Sequence, residues 1–412
     1  MIKIDRKELC CGCQACVQAC PKQCINFCQD DRGFYYPEVD IAECVNCRIC
    51  EKICPILNVK EYELPHNTLT YAAYNDNEQK RLSSSSGGIF TALAEHVISK
   101  NGIVFGAAFN EDFNVFHCGV ENRSDLEKLK GSKYVQSYIG NCYTEVKSQL
   151  KDGRMVLFSG VPCQIAGLKH FLQKDYPNLI LVDVVCHGVP SPTVWSKYLC
   201  EKKSRIAQEN GVSKEKVAIS NISFRDKRNS WRKFNLTIDY EILSENPNKE
   251  KEIIKSGIVT NCIWDDDYML SFLKNYALRP SCFKCHFRNG KSRSDVTIAD
   301  FWGVENCVTD SGYNCEKGTS LILVHNSRLK EIIDTLPISK IKVDFKQAIK
   351  GNSPVTKDVK APLSRSTFFK NIESESLHDA LYKAEKIHKR YWKYVYFIIR
   401  VKNRCKMIFK KR

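Results

Sequence analysis

Cys10-Cys11-Gly12-Cys13-Gln14-Ala15-Cys16-Val17-Gln18-Ala19-Cys20-Pro21 and Cys44-Val45-Asn46-Cys47-Arg48-Ile49-Cys50-Glu51-Lys52-Ile53-Cys54-Pro55 share one pattern, Cys-x2-Cys-x2-Cys-x3-Cys-Pro. Three thiolates spaced by two residues can hold three corners of a cubane within one tight loop. The fourth corner needs a thiolate from elsewhere, and in runs of this kind the fourth Cys ligates the other cluster. Cys10, Cys13, Cys16 and Cys54 are therefore expected on one [4Fe–4S] cluster, and Cys44, Cys47, Cys50 and Cys20 on the second. Pro21 and Pro55 end each loop. Cys-x2-Cys pairs also serve zinc, but zinc does not call for two complete runs of this length. Cys11, Cys24 and Cys28 fall outside the spacing and read as small buried hydrophobes.

Working outward, 22 cysteines occur in 412 residues, and half of them lie between Cys10 and Cys54. A secreted disulfide scaffold would be short and would carry a signal segment. Here the first residues have no apolar core and no run is long enough to span a bilayer, so the expected location is the reducing cytoplasm. The formal charge of +16 is uneven. Residues 1–60 are balanced, whereas residues 386–412 hold 11 basic and no acidic side chains. The basic balance thus belongs to a tail and gives no ground for nucleic-acid binding by the whole surface.

The composition and pattern divide the chain into a two-cluster domain over 1–60, a polar linker over 61–70, a body over 71–310, an extension of it over 311–380, and a basic amphipathic tail over 381–412. Strands are expected at 71–74, 103–109, 155–158 and 179–185, and helices at 89–99, 141–150 and 165–173. That alternation implies an α/β domain with a mixed, largely parallel sheet. Residues 219–240 look more antiparallel. The Ser83–Gly88 turn, placed before a helix, is either a phosphate-binding N-terminus or a plain cap. Gly131-Ser132-Lys133-Tyr134 taken alone reads as a solvated loop. Cys163 and Cys186 follow two strand ends and can converge on one edge of a parallel sheet. Cys282 and Cys285 supply two more thiolates at ligand spacing. The alternative is zinc on Cys282 and Cys285 and two buried thiols. His187 reads as a loop hydrogen-bonder.

Residues 1–60 resemble a bacterial two-cluster ferredoxin, which implies an α+β ferredoxin-like fold. Residues 71 to about 310 resemble the coenzyme F420 hydrogenase/dehydrogenase beta-subunit family. The resemblance is carried by Ser85-Ser86-Gly87-Gly88, Gly131 to Ser137, Ser159-Gly160-Val161-Pro162-Cys163-Gln164, Cys186-His187-Gly188-Val189-Pro190-Ser191, Cys282-Phe283-Lys284-Cys285 and Asp295 to Gly303. It implies FAD held through its pyrophosphate by Ser85, Ser86, Gly87 and Gly88, with Lys133 near the flavin. It also implies a third [4Fe–4S] cluster on Cys163, Cys186, Cys282 and Cys285.

The implied activity is that of an FAD- and [4Fe–4S]-dependent oxidoreductase. Such a protein passes electrons between clusters and a small organic carrier or substrate, coenzyme F420 or a surface-polysaccharide-related intermediate. A different class is an electron-transfer subunit that feeds a partner enzyme, and a zinc-ribbon interaction protein is a third. No acid–base constellation stands out, and His117, His170 and Asp300 have no assigned role. The tail interleaves bases and aromatics, so it is either a membrane-surface segment, peripheral to the inner face, or a terminal helix docked on the body. No nucleic-acid module accompanies it.

Overall fold

The computed structural model of the chain describes residues 1–59, 64, 68–244, 252–313, 315–391 and 393. The two cysteine runs fold alike. Each leads into a short helix, Ala15–Ala19 and Ile49–Lys52, through a left-handed residue at the equivalent place, Gln14 and Arg48, both at φ 61°. Between the runs, β1 (Ile25–Gln29) and β2 (Tyr35–Val39) form an antiparallel hairpin with Ile25 opposite Val39. Asp30 closes its turn, accepting from the backbone N–H groups of Arg32 and Phe34 at 3.1 and 2.8 Å.

The body is built on an eight-stranded sheet of β3 (Leu69–Asn75), β4 (Ile103–Phe109), β5 (Val115–Val120), β6 (Val156–Gly160), β7 (Leu179–Val184), β11 (Val296–Asp300), β12 (Ser320–Val324) and β13 (Ile338–Lys342). Its order is β13-β3-β12-β11-β7-β6-β4-β5. The run β4-β6-β7-β11 is parallel, and β5, β12 and β13 run against it. Alternation along the central strands divides the core in two. Val104, Leu157 and Ile180 meet the helix Ile89–Ser99 on one face. Phe105, Phe158 and Leu181 meet the helices Cys142–Lys151 and Pro162–Leu172 on the other. A second, three-stranded antiparallel sheet of β8 (Val217–Asp226), β9 (Asn235–Leu243) and β10 (Ile253–Cys262) leans on a large aromatic core around Trp195, Phe224 and Tyr268.

Several boundaries differ from the sequence expectation. Strand β3 begins at Leu69, so the last two residues of the expected linker are sheet, and residues 60–63 and 65–67 lie outside the described part. The stretch read as an extension supplies β12 and β13, with β12 between β11 and β3. The helix expected from Ile165 starts at Pro162. Proline suits a first helical position, and Gln164 Oε1 accepts from the Val161 N–H at 3.0 Å. Cys163 therefore sits on a helix's first turn and not in a loop. Residues 377–391 are helical, and residues 394–412, most of the basic tail, lie outside the described part. Among the described residues no helix is long and apolar enough to cross a membrane.

The two-cluster segment docks on the body along the helices Cys142–Lys151 and Pro162–Leu172. Gln14 Oε1 accepts from the N–H groups of Ile139 and Gly140, and Gln18 Oε1 from those of Tyr143 and Thr144 at 3.0 and 3.1 Å. These side chains satisfy backbone donors at and just before the first turn of the Cys142–Lys151 helix, groups that helix geometry leaves unpaired. A Cβ on Gly167 would stand 2.7 Å from Cys13 Cβ. Gly167→Val is therefore expected to force the segment off its seat and cost about 1–3 kcal/mol, as overpacking typically does. Chemical denaturation measures the loss, and limited proteolysis of the ferredoxin segment reports the undocking.

Candidate functional site

The thiols expected as ligands lie in three regions of the structure. Cys20, Cys44, Cys47 and Cys50 line one small cavity at the outer end, where Cys47 is exposed. The Ile2 N–H points at Cys50 Sγ, 3.2 Å away. Cys10, Cys13, Cys16 and Cys54 are neighbours deeper in, and burial raises the Cys16 and Cys54 thiols, with the nearby cysteines adding to the shift. Cys163, Cys186, Cys282 and Cys285 line a cavity of about 60 Å³ at the C-terminal ends of β6 and β7. The Val189 N–H lies 3.3 Å from Cys282 Sγ, a contact of the kind that tunes a cluster's potential. Arg279 and Arg288 line the same cavity and offset thiolate charge. Among the described residues no three His, Cys, Asp or Glu side chains converge as ligands of a single ion. The four thiols instead line a void, together with Cys11, Asp183 and His286, and four thiolates around a void are the donors that a cubane takes. Burial pushes the Cys282 thiol up to about 11 and raises Cys186 further, so loading the site must expel protons.

Cys11 departs from its reading as a mere hydrophobe. It lines the third cavity as a fifth thiol beside Cys163, and Cys13 and Cys163 together hold its thiol well below the ordinary value. Cys24, by contrast, is buried with its Sγ 3.5 Å from Cys20 Sγ. Cys28 is half-buried and its thiol is raised, chiefly by desolvation, with Glu38 beside it.

A second cavity, of about 630 Å³, shares Cys11, Cys163 and Cys186 with the first. It opens at the C-terminal edge of the parallel strands, where α/β sheets bind ligands. Ser85, Ser86, Gly88 and Lys133 line it. The turn read as a solvated loop is thus part of a binding wall: the Ser132 N–H donates to Ser85 Oγ at 2.8 Å, joining the two turns. Gly88, at φ 85°, caps the helix Ile89–Ser99 and aims its N-terminus at the cavity edge. Gly87 does not line the cavity. Its N–H donates to Ser320 Oγ at 2.9 Å, and a Cβ there would stand 2.5 Å from the Ala73 carbonyl, so its task is to let the turn lie against β3 and β12.

The second sheet closes the opposite wall. Lys227 reaches across and donates to the carbonyls of Arg81, Ser86 and Lys317 at 2.7, 2.9 and 2.8 Å, clamping the serine turn. Arg225 donates to Asp300 Oδ1 at 2.7 Å, and Trp231 Nε1 donates to the same oxygen at 2.8 Å. Asp300 is thereby committed as an acceptor. His117 is likewise engaged, through Ser137 Oγ at 2.6 Å and the Ser159 carbonyl at 3.1 Å, and burial lowers it to about 4, so it stays neutral. His187 hydrogen-bonds Asn275 Oδ1 at 2.7 Å, as expected of a loop residue. Lys133 donates to the carbonyls of Lys130 and Gly131, and desolvation brings it down to about 7.

Arg279 has no role in the sequence reading. It is 1% exposed and donates from Nε to the Cys10 carbonyl (2.9 Å) and from Nη2 to the Tyr35 carbonyl (2.8 Å), with Nη1 3.3 Å from Gln136 Oε1. Its guanidinium also lies over the Tyr36 ring at 4.2 Å. Burial works against its charge, but Cys10, Tyr36, Cys11 and Cys282 together hold its pKa above the ordinary value. Its place three residues before Cys282 was the available signal, and nothing local showed that it reaches the first cysteine run.

Comparison with known proteins bears on both halves. The family that describes the C terminus of the coenzyme F420 hydrogenase/dehydrogenase beta subunit matches residues 153–348. An uncharacterized ferredoxin of Methanocaldococcus jannaschii is 41% identical over 54 residues, 13% of this chain and 68% of that protein. A chain of the F420-reducing [NiFe] hydrogenase complex of Methanosarcina barkeri aligns over 80% of this chain and 94% of its own, at 13% identity and a TM-score of 0.41.

Because Arg279 satisfies two carbonyls of the first segment, Arg279→Met is expected to cost about 1–3 kcal/mol for each buried acceptor left unpaired. Lysine, without the planar fork, should rescue little. Denaturant titration of the two variants beside the wild-type protein checks both statements.

Proposed function

We propose that this chain, whose residues 153–348 match the C-terminal family of the coenzyme F420 hydrogenase/dehydrogenase beta subunit and whose N-terminal end matches a ferredoxin, is a flavin-dependent oxidoreductase fed by three iron–sulfur clusters. The family match and the ferredoxin relative together support an iron–sulfur electron-transfer role. The finer reading is supported above all by one observation: the cavity of the four thiols and the 630 Å³ cavity share a wall at the sheet edge, and Cys11 of the ferredoxin segment lines both. The exposed Cys47 end is where an electron-donating or electron-accepting protein would meet the chain, and the large cavity is where a small organic carrier would meet FAD.

FAD when bound would interconvert single electrons and a hydride. The residues around it would bind and orient. The Ser85–Ser132 pair and the end of the helix Ile89–Ser99 would present donors to a diphosphate. Lys227 would keep the Ser86 carbonyl turned out of its way. Lys133 would supply a positive charge on the wall, and the shared wall would keep water from the route between thiols and flavin. The volume lies within the usual 300–1,000 Å³ of a ligand pocket.

Anaerobic preparation with iron, sulfide and flavin analysis tests this. About twelve irons per chain and one FAD are expected, and Cys163→Ser should lose about four irons. Eight irons without flavin would reduce the protein to a ferredoxin fused to an empty body.

Lys133 gives a pH prediction. Its pKa is about 7 in the ligand-free cavity, and a bound anion raises it. Between the two values binding takes up a proton, so FAD affinity should fall as pH rises above 7, by at most about tenfold per pH unit. Flavin fluorescence quenching from pH 6 to 9 measures this, and Lys133→Met should flatten the dependence.

A further inference from the structure

We propose that Cys11, the thiol that the ligand spacing leaves over, is the sulfur contact through which electrons cross between the cluster of Cys10, Cys13, Cys16 and Cys54 and that of Cys163, Cys186, Cys282 and Cys285. The inference rests on the reading of those two sites as clusters. Cys11 stands in the chain between the ligands Cys10 and Cys13, and on its other side it shares both cavity linings with Cys163. It lines both the third thiol cavity and the large cavity beside it. Neither of the other spare cysteines of the ferredoxin segment lines these cavities: Cys24 borders the outer one, and Cys28 faces Glu38.

The position of Cys11 is held from both flanks. Arg279 fixes the carbonyl before it, that of Cys10, at 2.9 Å. After it, Gly12 at φ 73° threads a gap in which a Cβ would stand 2.9 Å from Gln136 Nε2 and 3.0 Å from Arg279 Cζ. On the opposite side Cys163 and Gly167, four residues apart on one helix, present one face to the ferredoxin segment. The missing Cβ of Gly167 lets Cys13 close down, with 2.7 Å between Cys13 Cβ and the point where that Cβ would be. A thiol surplus to coordination is thus pinned by the same contacts that bring the two ligand sets together. A polarizable sulfur at that place fills the gap between two sulfur-ligated centres.

The step is one-electron and involves no proton and no covalent change. A cluster held by Cys10, Cys13, Cys16 and Cys54 would give up the electron that one held by Cys163, Cys186, Cys282 and Cys285 would take, and Arg279 and Arg288, which line the third cavity, would offset the added negative charge.

The test uses the full-length protein isolated anaerobically, with Cys11→Ser and Cys11→Ala. Iron content and the electron paramagnetic resonance signals of the reduced clusters are recorded first. Rapid-freeze sampling after a sub-stoichiometric pulse of reductant then follows the electron from the ferredoxin clusters to the third. The expected result is wild-type iron content and signals in both variants, with a several-fold slower arrival at the third cluster. Loss of about four irons on removing Cys11 would make it a ligand and overturn the proposal. Wild-type transfer rates in both variants would overturn it too. A wild-type protein with only two clusters would instead sink the reading of the third site, and Cys163→Ser separates these cases by removing that cluster alone.

Discussion

One buried cation ties the ferredoxin segment to the loop that carries Cys282 and Cys285. An arginine removed from water must find partners for its charge and for its five N–H donors, or the desolvation cost goes uncompensated. Arg279 finds them in the carbonyls of Cys10 and Tyr35, in Gln136 and in the surrounding thiols. Those partners come from three places: the first cysteine run, the β1–β2 hairpin and the body's own loop at Gln136. The side chain belongs to the loop that brings Cys282 and Cys285, so the seat of the ferredoxin segment and the position of the third thiol group are set by the same bonds.

The sheet supplies the second constraint. Parallel strands β4, β6, β7 and β11 end on one edge, and the chain leaves that edge through Ser159-Gly160, Val185-Cys186 and Asp300-Phe301. Strand β12, running the other way, begins there with Ser320, which accepts from Gly87. The second sheet then leans over the opening and braces it with Lys227 and Arg225. A cavity made this way has one wall of thiols and one of serines and cations, and both walls are parts of the fold's regular elements.

Much of this was legible in the sequence because the chemistry dictates spacing. The cysteines of the two runs follow a fixed period, and the strands expected at 103–109 and 179–185 are short, largely apolar runs. The helix Ile89–Ser99 shows its buried face through Leu93, Ala94 and Val97. What stayed hidden depends on contacts far apart in the chain. Cys11 looked superfluous because its second neighbour, Cys163, lies 152 positions away. Lys133 looked solvated because its turn shows no local sign of the serine turn that it meets. Gly87 and Gly88, adjacent and alike in sequence, divide into one that packs on the sheet and one that caps a helix.

Everything proposed for the body turns on whether the four thiols from β6, β7 and the Cys282 loop enclose a cluster between the ferredoxin and the large cavity. A crystal of the anaerobically prepared protein, with anomalous diffraction collected above and below the iron edge, tests it most directly. Three iron-rich peaks are predicted: one within Cys20, Cys44, Cys47 and Cys50, one within Cys10, Cys13, Cys16 and Cys54, and one within Cys163, Cys186, Cys282 and Cys285. Two peaks, with the third void empty or filled by a single zinc, would contradict it.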